Sequence, residues 1–129
     1  MNVVDSSGWI EYLQKSSRAG LYRKAILDPA NLVVPAICIY EVYRLVFSKM
    51  GKTLAESSVR VMESGLVVEL TATLAVEAAA LAIHHQLAMA DAIIYATAQK
   101  HRATLWTQDA DLGSLPGVKY FQKMGAARG

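Results

Sequence analysis

Short apolar runs alternate along this chain with longer stretches whose apolar residues recur at helical spacing. The short runs are rich in β-branched residues and predict strands at 2–5, 32–35, 66–70, 104–107 and 118–121. The longer stretches predict a first helix for which Ser6-Ser7 offers the N-cap, and further helices at 18–27, 37–50, 53–63, 73–85 and about 87–101. Strands therefore alternate with single helices or with pairs of helices.

The predicted strands are continuously apolar and show no alternation of polar and apolar positions. Strands of this kind are typical of a parallel sheet that helices cover on both faces. No repeat or interdomain linker interrupts the pattern, so we expect one α/β domain over residues 1–129, with a central parallel sheet of four to five strands. The small and polar residues at 124–129 predict a frayed tail.

Composition agrees with a compact globular protein, because 53% of the 129 residues are apolar and 19% are charged. The net charge of +2 neither indicates nor excludes a nucleic-acid ligand, since a local basic rim would leave the total near neutral. The single cysteine, Cys38, lies in an apolar stretch and is expected in the core. We see no signal peptide and no membrane-spanning segment of about 20 apolar residues, so we expect a cytoplasmic protein.

One acidic residue departs from the apolar pattern around it. Asp91 lies inside the segment 87–98, whose composition predicts a helix in the core. No Lys or Arg occurs between Arg60 and Lys100, so Asp91 has no cation near it in the sequence. Because a buried carboxylate is costly unless it is paired or binds a metal, we expect Asp91 to have a partner from elsewhere in the chain.

Three further acids lie close to the carboxyl ends of predicted strands. Asp5 ends the first strand, Asp109 follows the fourth, and Glu41 lies in the early part of the helix after the second. In open α/β sheets the connecting loops and helix starts gather at that edge and form binding sites. We therefore expect these three acids to converge there, with Asp91 joining them if it lies in the first turns of its helix.

Four neighbouring carboxylates repel one another, by about 4 kcal/mol for two charges ~4 Å apart at an effective dielectric constant of about 20. A divalent cation converts this repulsion into binding, and ligands that are all oxygen favour Mg²⁺ or Mn²⁺ over Zn²⁺. A site with two such ions can activate a water molecule and stabilise the leaving oxygen of a phosphodiester. The acids therefore indicate a metal site suited to phosphodiester chemistry.

Four segments carry a family resemblance: VVDSSGWI at 3–10, PAICIYEV at 35–42, ADAIIYATA at 90–98 and LWTQD at 105–109. In this order they resemble the PIN-domain ribonucleases, and within them the VapC-type toxins of bacterial and archaeal toxin–antitoxin pairs. Each segment alone is weakly specific, but the ordered set spans nearly the whole chain. The chain departs from the pattern at Leu112, near where relatives often carry an aromatic residue.

The resemblance implies an endoribonuclease that depends on one or two Mg²⁺ or Mn²⁺ ions and hydrolyses RNA without a covalent intermediate. It assigns the metal to four acids that would also be catalytic, Asp5, Glu41, Asp91 and Asp109. It places supporting hydroxyls at Ser7 and Thr107, and it leaves open whether Asp111 is a further ligand. It also implies a cognate antitoxin that covers the active-site groove, and a homodimer.

Some of these residues also have purely structural interpretations. Asp5 could be a helix N-cap, and Glu41 could form a structural ion pair. Taken singly, Asp109 and Asp111 could both be ordinary loop acids. The basic residues Arg18, Arg44 and Lys49 could contact RNA phosphates, although an exposed and solvated face explains them equally well.

Two other functions remain open at the level of sequence. One is a degenerate PIN fold that only binds RNA or protein, although four mutually repelling acids would then have no purpose. The other is a Mg²⁺-dependent phosphohydrolase of another α/β family. The common haloacid-dehalogenase type requires Asp-x-Asp after the first strand, whereas this chain has Asp5-Ser6-Ser7 there.

Overall fold

The computed structural model describes residues 1–123, which form a five-stranded sheet and six α-helices. The strands are β1 (Asn2–Val4), β2 (Leu32–Pro35), β3 (Leu66–Val68), β4 (Thr104–Thr107) and β5 (Val118–Tyr120). The helices are α1 (Ser6–Leu13), α2 (Ala19–Ile26), α3 (Ala36–Met50), α4 (Lys52–Met62), α5 (Ala72–His85) and α6 (Met89–Lys100). The predicted α/β fold is confirmed, and the tail predicted at 124–129 lies outside the described residues.

All five strands run parallel, in the spatial order β3-β2-β1-β4-β5. β1 lies at the centre, where Val3 pairs with Val33 of β2 on one side and with Leu105 of β4 on the other. These three side chains are fully buried. Central strands of a parallel sheet are covered on both faces, which explains why β1 and β2 are continuously apolar in the sequence.

The apolar segment around Asp91 forms α6, in which every residue of 92–98 is buried. This helix contacts β1, β2 and β4, so it packs across the middle of the sheet. The hydroxyl of Thr97, a polar residue in this run, donates a 2.8 Å hydrogen bond to the Ile93 carbonyl and is thereby satisfied without water. Within residues 1–123, no helix combines the length and the apolar character needed to cross a membrane.

Two local expectations are wrong. The N-cap of α1 is Asp5 and not the Ser6-Ser7 pair, because the Asp5 carboxylate accepts a hydrogen bond from the backbone N–H of Ser6. Asp91 is half-buried and not fully buried, because it lies in the first turn of α6, at the border of the core. The burial expected for Cys38 is confirmed.

The strand order determines which chain segments meet at the carboxyl edge of the sheet. β1 lies between β2 and β4, so the ends of these three parallel strands are adjacent. Asp5 follows β1 directly, Thr107 is the last residue of β4, and α3 begins directly after Pro35 of β2. The candidate acids therefore reach one edge from segments that are far apart in the sequence.

The close packing of α1 against α2 and β1 gives a test of the fold. A Cβ atom added at Gly8 would lie 2.6 Å from Cε1 of Tyr22 and 2.8 Å from Cγ1 of Val4. We expect Gly8→Ala to lower the free energy of unfolding by about 1–3 kcal/mol, because over-packing in a filled core outweighs the gain in helix propensity. Urea denaturation monitored by circular dichroism measures the change.

Gly20→Ala is the matched control, since a Cβ there would meet no atom within 4 Å. We expect this substitution in α2 to be neutral or to stabilise the protein by up to about 1 kcal/mol. Equal unfolding free energies for the two variants would contradict the packing of α1 described above.

Candidate active site

Asp5 lies at the carboxyl end of the central strand, with 5% of its surface exposed. Its Oδ1 accepts a 2.7 Å hydrogen bond from the backbone N–H of Ser6, and its Oδ2 accepts one of 2.7 Å from the Thr107 hydroxyl. The Ser7 hydroxyl is 3.4 Å from the same Oδ2, which makes it a long and weak donor. Two strong donors therefore fix the orientation of this carboxylate.

Thr107 is fully buried and connects Asp5 to the loop after β4. Its hydroxyl donates to Asp5 and accepts a 2.9 Å hydrogen bond from the backbone N–H of Asp109. A hydroxyl can donate and accept at the same time, so this one side chain aligns two acids with each other. Asp109 Oδ1 accepts a further 2.9 Å hydrogen bond from the N–H of Asp111, which closes a turn.

Asp91 completes a group of three carboxylates. The first turn of α6 brings it beside Asp5 and Asp109, and one carboxylate oxygen from each residue lies within 4.8 Å of those of the other two. The three acids border a cavity of about 580 Å³. We call Asp5, Asp91 and Asp109 the three-acid cluster.

Glu41 borders the same cavity, although its carboxylate is not part of the three-acid cluster. It lies on α3, and its Oε1 accepts a 2.6 Å hydrogen bond from the Ser6 hydroxyl. Ser6 therefore contacts Asp5 through its N–H and Glu41 through its side chain. Glu41 forms no ion pair with any residue of 1–123, so the structure gives no support to its structural alternative.

Asp111 lies at the margin of the site. It is exposed, and its side chain does not belong to the three-acid cluster. Its backbone N–H donates a hydrogen bond to Asp109. Burial is the largest cause of the raised pKa of Asp91, and the negative charge of Asp111 is the smallest. Asp111 therefore contacts the site through its backbone hydrogen bond to Asp109.

The model of the PIN-domain family matches residues 3–118. The chain belongs to the PIN-domain family. This confirms the family resemblance that the four sequence segments indicated. No curated protein sequence matches the chain significantly.

Solved structures share the fold of this PIN domain. A chain of a toxin–antitoxin complex from Klebsiella pneumoniae is 23% identical, with a TM-score of 0.79 over 92% of this chain and 96% of that one. A chain of VapBC2 from Rickettsia felis, bound to a promoter DNA fragment, is 14% identical, with a TM-score of 0.71 over 94% and 98%. The Mycobacterium tuberculosis toxin VapC20, which cleaves the sarcin–ricin loop, is 18% identical, with a TM-score of 0.70 over 100% and 95%. At these identities the likeness establishes a common fold.

Burial and mutual repulsion make it unfavourable for all members of the three-acid cluster to be ionised at once. Burial raises the pKa of Asp5, and the hydrogen bonds from Thr107 and Ser6 offset only part of this effect. For Asp91, burial is again the largest cause, and Asp109 adds to it by accepting a hydrogen bond from the protonated acid and by its charge. Together these effects raise the pKa of Asp91 to about 7.

The donor set of the three-acid cluster fits a divalent cation. All of its candidate ligand atoms are carboxylate oxygens, the type that Mg²⁺ and Mn²⁺ prefer. Among residues 1–123, Lys123 is the one basic residue that borders the cavity, and no ion pair joins it to the cluster. A bound cation would offset both the repulsion and the cost of burial.

The basic residues expected near RNA occupy three different environments. Arg44 borders a groove on α1 and α3 that adjoins the cavity at Glu41. Lys49 is exposed near the end of α3 and lines neither the cavity nor that groove. The Arg18 guanidinium donates a 2.7 Å hydrogen bond to the side chain of Gln108, so it is engaged within the protein.

Sequence reasoning missed six residues that border the cavity: Ser6, Gln108, Ala110, Tyr120, Gln122 and Lys123. The first three adjoin predicted acids in the sequence, so this adjacency was a usable signal. The other three belong to β5 or follow it, and they reach the site because Tyr120 pairs with Thr107 across the β4–β5 ladder. No local pattern in the sequence indicates that pairing.

The raised pKa of Asp91 predicts how the stability of the metal-free protein depends on pH. Between the ordinary value of 3.8 and about 7, the folded state retains a proton that the unfolded chain has lost. The stability that Asp91 contributes is therefore complete below about pH 4 and is lost as the pH rises through about 7. In EDTA, we expect Asp91→Asn to gain melting temperature relative to the wild type as the pH rises from 5 to 8.

Thermal melts of both proteins at four pH values across this range measure the difference. Asn has nearly the same shape as Asp but cannot ionise. Any effect of the substitution on packing is therefore the same at every pH, and only the ionisation of Asp91 changes the difference in melting temperature. A difference in melting temperature that stays constant with pH would contradict the assigned environment of Asp91.

Proposed function

We propose that this PIN domain is a metal-dependent endoribonuclease and the toxin of a toxin–antitoxin pair. The observation that carries the proposal is the convergence of Asp5, Asp91 and Asp109 from three distant segments, with no ion pair to compensate them among residues 1–123. Such a cluster lowers the stability of the fold unless a cation binds to it, so the simplest explanation for the cluster is a functional cation site. Membership of the PIN-domain family and the toxin folds that it resembles support the same assignment.

The three-acid cluster would hold Mg²⁺ or Mn²⁺, with Glu41, which borders the same cavity, as the fourth acid. When bound, the ion would supply positive charge for a developing oxyanion and would favour the ionisation of a nearby water molecule. Thr107 holds Asp5 and the backbone of Asp109 in a fixed relation, and Ser6 does the same for Asp5 and Glu41. These hydrogen bonds keep the acids in place before substrate arrives, which lowers the cost of reorganisation.

The surroundings of the cavity suit a single RNA strand. Lys123 would attract a phosphate beside the acids, and Arg44 would attract another along the adjoining groove. Tyr120 also borders the cavity and is partly exposed, so its ring is available for stacking on a base. The position of Lys49 makes it a more peripheral contact, and the Arg18 guanidinium is already hydrogen-bonded to Gln108.

A cognate antitoxin remains part of the proposal as the partner that silences the enzyme. The support comes from the similarity of the fold to chains of toxin–antitoxin assemblies. Two exposed aromatic residues on α3, Tyr40 and Phe47, line an apolar groove next to Arg44 that offers a surface for a protein partner. The expected homodimer stays a prediction.

The metal assignment predicts that purified protein cleaves single-stranded RNA with Mn²⁺ or Mg²⁺ and loses this activity in EDTA. It also predicts a Mn²⁺ site that calorimetry detects and that Asp91→Asn weakens, since a ligand is removed. Mn²⁺ at about 100 times its dissociation constant should stabilise the wild type by about 2.7 kcal/mol.

Glu77→Gln is a suitable control, because Glu77 is an exposed acid that pairs with Lys100 at 3.2 Å on another part of the surface. This variant should bind Mn²⁺ as the wild type does. Undiminished cleavage in EDTA would remove the metal mechanism. The absence of any Mn²⁺ site would favour the alternative in which the PIN fold only binds RNA or protein.

The two acids after β4 should differ in importance. Asp109→Asn should reduce kcat by about 100-fold or more, since even residues that only support a metal ligand are worth 10–100-fold. Asp111→Asn should cost less than about tenfold, because its backbone N–H, which supports Asp109, is retained. Steady-state cleavage of a fluorescent RNA under saturating Mn²⁺ compares them, and equal losses would show that Asp111 is a ligand as well.

A further inference from the structure

Arg18 connects three parts of the protein through its guanidinium. Its Nε donates a 2.7 Å hydrogen bond to Oε1 of Gln108, and its Nη2 donates to the carbonyl oxygens of Phe121 at 3.0 Å and Gln122 at 3.5 Å. Arg18 itself precedes α2. One side chain therefore joins the start of α2 to the loop after β4 and to the segment after β5.

Gln108 is held from both ends of its amide group. While Oε1 accepts from Arg18, Nε2 donates a 2.8 Å hydrogen bond to Oε2 of Glu11 on α1. A cation on the oxygen side and a carboxylate on the nitrogen side leave one favourable orientation of the amide. Gln108 is only 5% exposed, so losing either partner would leave a buried polar group unsatisfied. The pKa of Glu11 is lowered by a hydrogen bond from the Ser16 side chain and, to a smaller extent, by the one from Gln108.

Both segments that Arg18 holds supply residues to the cavity. Gln108 lies between Thr107 and Asp109, so fixing its side chain limits the movement of the loop that carries a cluster acid. The segment after β5 carries Lys123, which borders the same cavity. The Phe121 N–H donates a 2.9 Å hydrogen bond to the Thr107 carbonyl, which ties the two segments to each other directly.

We propose that Arg18 is a positioning residue that clamps the loop carrying Asp109 and the segment carrying Lys123 in the geometry needed for metal binding and RNA cleavage. The consequence for catalysis rests on the proposed function, whereas the mechanical role does not. This differs from the phosphate contact suggested by the sequence, because Nε and Nη2 are already committed to protein acceptors. An RNA phosphate would have to compete with them.

The test uses Arg18→Met, Arg18→Lys and Gln108→Met, with Arg23→Met as the control. Arg23 lies on α2, is exposed and does not border the cavity, so its removal subtracts the same charge without touching the clamp. Lys keeps the charge of Arg18 but lacks the planar fork that reaches two acceptors at once. Circular dichroism verifies that each variant is folded, and Arg18→Lys provides the comparison if a Met variant is not.

Amide hydrogen exchange measures the clamp without any metal or RNA. We expect the amides of Asp109 and Phe121, which bond to Thr107, to exchange about tenfold faster or more in all three clamp variants than in Arg23→Met. Unchanged exchange at both amides would overturn the proposal, whether or not the protein proves to be a nuclease.

Calorimetry and kinetics then measure the consequence for the site. We expect Mn²⁺ affinity and kcat to fall by about 10–100-fold in the clamp variants, the range found for residues that support metal ligands. Arg18→Met combined with Gln108→Met should lose little more than either alone, because both break one network. RNA binding in EDTA should weaken no more in Arg18→Met than in Arg23→Met.

A phosphate contact gives the opposite pattern. Arg18→Met would then raise KM and leave kcat and Mn²⁺ affinity at the values of Arg23→Met. A plot of the logarithm of the RNA-binding constant against the logarithm of salt concentration would become less steep by about one unit. Arg18→Lys would largely restore RNA binding. That result would overturn the positioning role, whereas a wild type that binds no Mn²⁺ would refute the proposed function and leave the exchange data to decide the clamp.

Discussion

The buried carboxylate of Asp5 is the constraint on which the site depends. It lies at the end of the central strand, and its two oxygens accept hydrogen bonds from Ser6 and Thr107. Through Thr107 it is connected to the backbone of Asp109, and through Ser6 to the side chain of Glu41. A charge in this position is stable only when its donors are all in place, so the packing of β1 against β4 also determines the geometry of the site.

The carboxylates of the three-acid cluster repel one another, and no described basic residue pairs with them to offset this repulsion. Burial and neighbouring charges raise the pKa of both Asp5 and Asp91, and the described residues offer no ion pair to either. Stability and proposed activity are therefore linked, since a divalent cation would stabilise the fold and complete the site together. Burial of 92–98 anchors α6 in the core, and this packing holds Asp91 beside the other two acids despite the repulsion.

The walls of the cavity differ in how they are supported. Asp5 and Asp91 are attached to the core through β1 and α6, whereas Asp109 lies on a loop. Loops are less stable than the elements that they connect, so a catalytic acid there needs additional support. Thr107 provides part of it from within the sheet, and the Arg18 network provides a second connection through Gln108.

The sequence by itself determined the α/β class, the boundaries of most helices and strands, the burial of most of α6 and the convergence of four acids at one edge of the sheet. These follow from local patterns: continuous apolar strands, helical spacing, and charges such as Asp91 that an apolar segment does not otherwise tolerate. Only the tertiary structure decided that Asp91 lies half-buried in a first turn, that Ser6 links two acids, and that Glu41 stays apart from the three-acid cluster. It also decided that Lys123 reaches the cavity and that the Arg18 guanidinium is hydrogen-bonded to Gln108. The reason is that strand order and side-chain direction come from contacts between residues distant in sequence, which local patterns do not encode.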